Sequence, residues 1–158
     1  MVKLQNILCP TDFSELSVGA VNYAAMLAET FKARLHLLHV VDQAYQYWMA
    51  TGPEAVPAAP AGPTPEELME TATKQMEDFA SQYVPEKVQA SGEVISGRPF
   101  LEIIRVAKEK KSDLIVIGTH GRGALRQVLL GSVAEKVVRK APCPVLSVRD
   151  PGHKFIMP

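Results

Sequence analysis

The chain has 158 residues, 47% hydrophobic and 22% charged, which suits one globular domain with a sizeable core. Its 17 Lys and Arg balance 17 Asp and Glu, arguing against nucleic-acid or anionic-membrane binding, and no apolar run approaches a membrane span. The opening MVKLQNILCPTDFS lacks the regions of a secretory signal, so the expected location is cytoplasmic.

Residues 6–9, extended a little by residues 2–4, read as a short buried strand that Pro10 stops. Ser14 suits the N-cap of a helix with Leu16, Ala20, Ala24, Leu27, Ala28 and Phe31 at helical spacing. Residues 34–41 (RLHLLHVV) are near-continuously apolar, as expected of a strand covered on both faces. Residues 43–63, rich in Ala, Pro and Gly, read as a flexible loop. Its Tyr45, Tyr47, Trp48 and Met49 suit a lid, a partner surface or an anchor on the body equally. Thr64-Pro65-Glu66-Glu67 then has the form of a capping box with Pro at the first helical position. Leu68, Ala72, Met76, Phe79 and Tyr83 make the stripe of that helix.

Residues 88–96 are more polar and fit an edge strand. Gly97 and Pro99 lead into a helix with Leu101, Ile104 and Ala107 in its stripe, and residues 113–117 form the fourth strand. Ser132, with Glu135 three residues on, predicts an N-cap and a helix to about Lys140. Pro142 and Pro144 end it, and residues 145–148 form a last strand. This alternation predicts an α/β fold, with a parallel sheet covered by helices on both faces. One domain, 1–158, is expected, with loop 43–63 as an insertion and residues 149–158 as a tail.

Sheets of this kind bind ligands beyond the carboxyl ends of their strands, where the strand order reverses. Pro10-Thr11-Asp12, Val40-Val41-Asp42 and the stretch from Gly118 onward should converge there. Gly118, Gly121 and Gly131-Ser132 lie between a strand end and a helix start, where backbone can approach an anion and free N–H groups can receive it. Gly118-x4-Gly123 is followed by Ala124-Leu125, so there is no Walker lysine, and no G-x-G-x-x-G follows the first strand. Turns and helix caps explain bare glycines as well. His120 has no evident orienting partner for base catalysis. His36 and His39 face opposite sides of their strand and cannot chelate together, and no metal site is readable. Cys9 and Cys143 suit small apolar sites rather than a disulfide.

Gly118-x2-Gly121-x9-Gly131-Ser132 resembles the nucleotide signature of the universal stress protein family, in its ATP-binding subgroup. ILCPTDFSELSVGAVNYA (7–24), LLHVVD (37–42), DLIVIGTHG (113–121) and APCPVLSV (141–148) are similar to further segments of that family. The resemblance spans the chain apart from residues 43–63 and the tail after Val148. It implies a doubly wound, Rossmann-like five-stranded parallel sheet and a homodimer joined near the C-terminal strand, which Phe155, Ile156 and Met157 of the tail, outside the resemblance, could buttress. The implied ligand is ATP, with Mg²⁺ reaching the triphosphate largely through water, in a stress-response regulatory role whose protein partner is unidentified.

By the same resemblance Pro10, Thr11 and Asp12 border the adenosine and the Val40 backbone meets the adenine edge. Gly118 and Gly121 border ribose and phosphates, and the N–H groups of Gly131, Ser132 and Val133 meet the phosphates. Arg122 is the first candidate for a cationic phosphate contact and Arg126 the second, with solvated arginines as the alternative. Asp12 and Ser132 also suit helix caps, and Val40 a buried strand residue. No catalytic residue is assigned. A slow ATPase on the same site, and a dimeric interaction module with a structural nucleotide, are the competing readings.

Overall fold

A computed structural model describes residues 3–42, 63–119 and 130–149 of the chain. Strand β1 (Asn6–Pro10) leads through α1 (Glu15–Phe31) to β2 (Arg34–Val41), and α2 (Pro65–Tyr83) leads on to β3 (Ala90–Ser96). Helix α3 (Pro99–Glu109) then precedes β4 (Leu114–Gly118), and α4 (Ser132–Lys140) precedes β5 (Val145–Val148). The strands form one sheet in the order β3-β2-β1-β4-β5, and every neighbouring pair is parallel. This is the doubly wound fold expected from the sequence, with the polar strand β3 at one edge and β5 at the other.

Alternating side chains on each strand divide the core in two. Ile7, Cys9, Leu35, Leu37 and Val116 face α1 and α2, while Leu8, Leu38, Ile115 and Ile117 face α3 and α4. Helix α1 presents Ala20, Ala24, Ala25 and Ala28 with Val21, small residues that let it lie close to the sheet. Two expected stripe positions are corrected. Phe31 is 56% exposed and Leu101 is 47% exposed, whereas Val21, Ala25, Ile103 and Val106 are buried. Phe31 is the last residue of α1, beyond the covered part of the helix, and Lys32 turns the chain away with φ 54°. Strand limits also shift slightly: β1 includes Pro10, β3 starts at Ala90, and β4 runs from Leu114 to Gly118. Asp113 lies just outside β4, and its carboxylate accepts the Gln5 and Asn6 N–H groups, at 2.8 and 2.9 Å.

Ser14 caps α1 by accepting from Ser17 N–H, as expected. Thr64 and Glu67 form the reciprocal capping box, with Thr64 N–H donating to Glu67 at 2.8 Å and Glu67 N–H to Thr64 Oγ1 at 3.1 Å. Thr64→Ala should therefore cost about 1 kcal/mol in chemical denaturation. An unchanged midpoint would mean that the box is replaced by water at no cost.

The two cysteines are free and occupy separate cores, Cys9 under α1 and Cys143 beside α4. Burial pushes the Cys9 thiol up to about 12, so it stays protonated at neutral pH. Among the described residues, no helix is long and apolar enough to cross a membrane.

Candidate functional site

The strand order reverses between β1 and β4, since the chain builds outward from β1 through β2 to β3 and then returns to the other side. The β1–β4 ladder has its last pair at Leu8 and Ile115. Strand β1 continues to Pro10, which has no N–H to extend a ladder, and β4 continues to Gly118 while paired with β5. The two strands thus lose their mutual pairing toward their carboxyl ends, at the position where an open sheet of this kind receives a ligand.

On the β1 side, Thr11 is buried, and its N–H donates to Leu38 O on β2 at 2.8 Å. Its hydroxyl accepts from Phe13 N–H at 3.0 Å and shares a 2.9 Å hydrogen bond with Ser17 Oγ. Asp12 is half-buried, and its Oδ1 accepts from both the N–H and the hydroxyl of Ser14. Asp12 therefore braces the N-cap residue of α1 and is not itself the cap. That arrangement presents a carboxylate at the strand end. Val40 lies one strand further out, paired with Ile95, and its side chain packs on the core under α3 and α4. Its side chain is thus committed to packing, which leaves only backbone for a contact.

On the β4 side, Gly118 pairs with Val148, and Thr119 N–H donates to Val148 O at 2.9 Å. Thr119 is almost wholly buried and its carbonyl accepts the Gly131 N–H. The start of α4 is thereby tied directly to the end of β4. The expected cap is corrected here: Gly131, extended at φ −65° and ψ 157°, is the N-cap, and Ser132 is the first helical residue. Glu135 N–H donates to Gly131 O at 2.9 Å, which closes the first turn one residue earlier than the Ser-x-x-Glu spacing suggests. The N-cap residue itself supplies no side-chain hydrogen bond to this helix. In α1 and α2, by contrast, Ser14 and Thr64 each accept one of the N–H groups that a helix start leaves unpaired.

Of the sequence-predicted residues, Pro10, Thr11, Asp12 and Gly118 sit at the ends of the two strands flanking the reversal, and Gly131, Ser132 and Val133 open the helix tied to one of them. Val40 lies on β2, beyond β1. Gly121 and Arg122, as well as His120 and Arg126, fall outside the described residues, as do residues 43–62 of the loop. Among the described residues, no group of three or more His, Cys, Asp or Glu could hold a metal ion. A shallow groove of about 250 Å³ lies elsewhere, between the start of α1 and α2, lined by Phe13, Val18, Phe79 and Tyr83 among others.

Two further residues contact the strand ends without a clear signal in the sequence, Thr119 and His39. Thr119 signalled itself only as a hydroxyl residue following a strand-end glycine. His39 Nδ1 lies 2.8 Å from Thr11 O, a backbone partner that no sequence pattern announces. His36 does face the other side of β2, as expected, where it bonds Ser91 Oγ at 2.8 Å. Burial, reinforced by Lys110 and Arg34, holds its pKa below the usual histidine value.

The model of the universal stress protein family matches residues 3–149. Universal stress protein MJ0531 of Methanocaldococcus jannaschii is 35% identical over 151 residues, covering 93% of this chain and 83% of its own. Among solved structures, MJ0577 of the same organism superposes with a TM-score of 0.71 at 30% identity, covering 96% of this chain and 99% of its own. A universal stress protein of Archaeoglobus fulgidus in complex with dAMP shares the fold at a TM-score of 0.61 and 20% identity, covering 93% and 98%.

Proposed function

Because the chain belongs to the universal stress protein family, we propose that it is an adenine-nucleotide-binding regulatory module with ATP as its ligand. The observation that carries this reading is the start of α4. Its N-cap is a glycine that offers no side chain to the first N–H groups, and it is fixed to the end of β4 at the strand reversal. Helix N-termini favour anions through unpaired N–H groups and the positive end of the dipole. The Gly131, Ser132 and Val133 backbone and the Ser132 hydroxyl would hold the phosphates, assisted by Gly118, Gly121 and Arg122. Pro10, Thr11 and Asp12 would border the adenosine, with Asp12 accepting from ribose or adenine, and the Val40 backbone would meet the adenine edge. A Mg²⁺ ion, if it accompanies ATP, would be held by the phosphates and water with few protein ligands. The dAMP complex of the A. fulgidus relative supports adenine as the base.

The role is to hold the nucleotide rather than cleave it. Phosphoryl transfer needs a positioned nucleophile and charge on the transferred group, and the glycine segment carries no Walker lysine. Binding would stabilise the bound state by mass action and signal stress through that state. The test is to release whatever copurifies with the protein and identify it by mass. ATP or ADP in stoichiometric amount supports the reading, whereas a nicotinamide or flavin nucleotide would replace it.

A homodimer through β5 is part of the same proposal. Ile115 N–H donates to Pro144 O and Thr119 N–H to Val148 O, so even-numbered residues of β5 turn their backbone groups toward β4. Val145 and Ser147 then direct theirs to the open edge. Tyr23 and Met26 on α1 are about half exposed, as is Val138 on α4, and Leu146 is 37% exposed on β5 itself. The α1 flank that carries Tyr23 also carries Gly19, which approaches Val148 of the edge strand. Ser147→Pro removes an edge donor without touching the β4 ladder, so it should convert a dimer to monomer in light scattering with little change in unfolding midpoint. A dimer unaffected by this change would have its interface elsewhere.

A further inference from the structure

We propose that His39 is a positioning residue for nucleotide binding, holding the Thr11–Phe13 turn so that Asp12 is presented at the strand reversal. The inference rests on the nucleotide reading of this site and adds a residue to it. Phe13 has φ 63°, a left-handed conformation that a bulky side chain adopts only when its surroundings impose it. Those surroundings come from three elements. Strand β2 supplies His39, whose Nδ1 is 2.8 Å from Thr11 O and whose ring lies 4.3 Å from that of Phe13, tilted by 30°. Helix α2 supplies Phe79, edge-on to Phe13 at 5.5 Å. Helix α1 supplies Ser17, whose hydroxyl bonds Thr11 Oγ1, the same atom that accepts Phe13 N–H.

The Thr11 carbonyl belongs to the peptide unit that precedes Asp12, so fixing that oxygen fixes the orientation from which the Asp12 side chain departs. A carbonyl oxygen can only accept, hence Nδ1 carries a proton and neutral His39 is the Nδ1–H tautomer. Ring contact and hydrogen bond together make His39 the link between β2 and the turn. The next residue of β2, Val40, is the one expected to meet the adenine edge with its backbone. One short segment of β2 would therefore set both the base contact and the carboxylate.

The test uses the full chain stripped of nucleotide, with His39→Phe, which keeps a ring without the donor, and His39→Asn, which restores an N–H close to the Nδ1 position. ATP affinity should fall about tenfold in His39→Phe, the weight of one hydrogen bond. It should recover to within about threefold of the original in His39→Asn. Binding of inorganic tripolyphosphate, which carries no adenosine for Asp12 to meet, should change in neither. In nitrogen-15 spectra of the unsubstituted protein, His39 should be the Nδ1–H tautomer, a readout that stands even if His39→Phe fails to fold. Wild-type affinity in His39→Phe, an equal loss in both variants, or an Nε2–H tautomer would overturn this proposal alone. Absence of ATP binding by the unsubstituted protein would overturn it together with the nucleotide reading.

Discussion

Gly131→Asp should abolish ATP binding while leaving the fold as stable as before or slightly more so. Gly131 is extended at φ −65° and ψ 157°, a conformation open to any residue, so aspartate fits the backbone without strain. As an N-cap, aspartate is better than glycine by a few tenths of a kcal/mol. Its carboxylate would accept from the very N–H groups offered to phosphate, and would set a negative charge against the incoming triphosphate. Losing the helix-end attraction and adding like-charge repulsion should together weaken ATP by at least a hundredfold, about 2.8 kcal/mol. Gly131→Ala, which leaves the N–H groups unclaimed, should weaken it far less. Unfolding midpoints and titrations of the two variants separate loss of site from loss of fold. Tight ATP binding by Gly131→Asp would move the phosphates away from α4.

The largest loss of stability is expected at Leu8. It is wholly buried in the central strand, in the core formed with Leu38, Ile115, Val106 and Val137. Leu8→Ala removes apolar burial and leaves a cavity between the sheet and two helices, costing roughly 3 kcal/mol within a usual range of about 2–5. For a chain of this size the thermal midpoint should drop by roughly 10 °C. Phe31→Ala provides the contrast. Although larger, Phe31 is mostly exposed at the end of α1, so its removal should change stability by no more than about 0.5 kcal/mol. Similar losses at both positions would contradict the burial of Leu8 and the exposure of Phe31.

Much of this arrangement was legible in the sequence. The near-continuous run 34–41 coincides with β2, because a strand covered on both faces has no polar side to interrupt it. Thr64 and Glu67 act as their spacing suggests, since a capping box is entirely local. The start of α4 was misplaced by one residue for the opposite reason. Ser132 and Glu135 have the local pattern, but Gly131 is bound through its N–H to Thr119 and becomes the cap. That tie is tertiary and leaves no trace in spacing. Periodicity placed Phe31 inside because it counts apolar residues by angle and cannot see where the sheet stops covering the helix, whereas Leu101 lies nearly half a turn around α3 from the buried Ile103. At the candidate site, the placement of Pro10, Thr11, Asp12 and Gly118 at strand ends, and of Gly131 before a helix, was legible from the strand pattern and the glycines. The contact of His39 was not, because its partner, the Thr11 carbonyl, lies in the turn that follows another strand.

Direct titration calorimetry of the nucleotide-stripped protein with ATP tests the central claim. One saturable site per chain, accompanied by a rise in unfolding midpoint with ATP concentration, is the predicted result. No binding heat and no midpoint shift at millimolar ATP would contradict it.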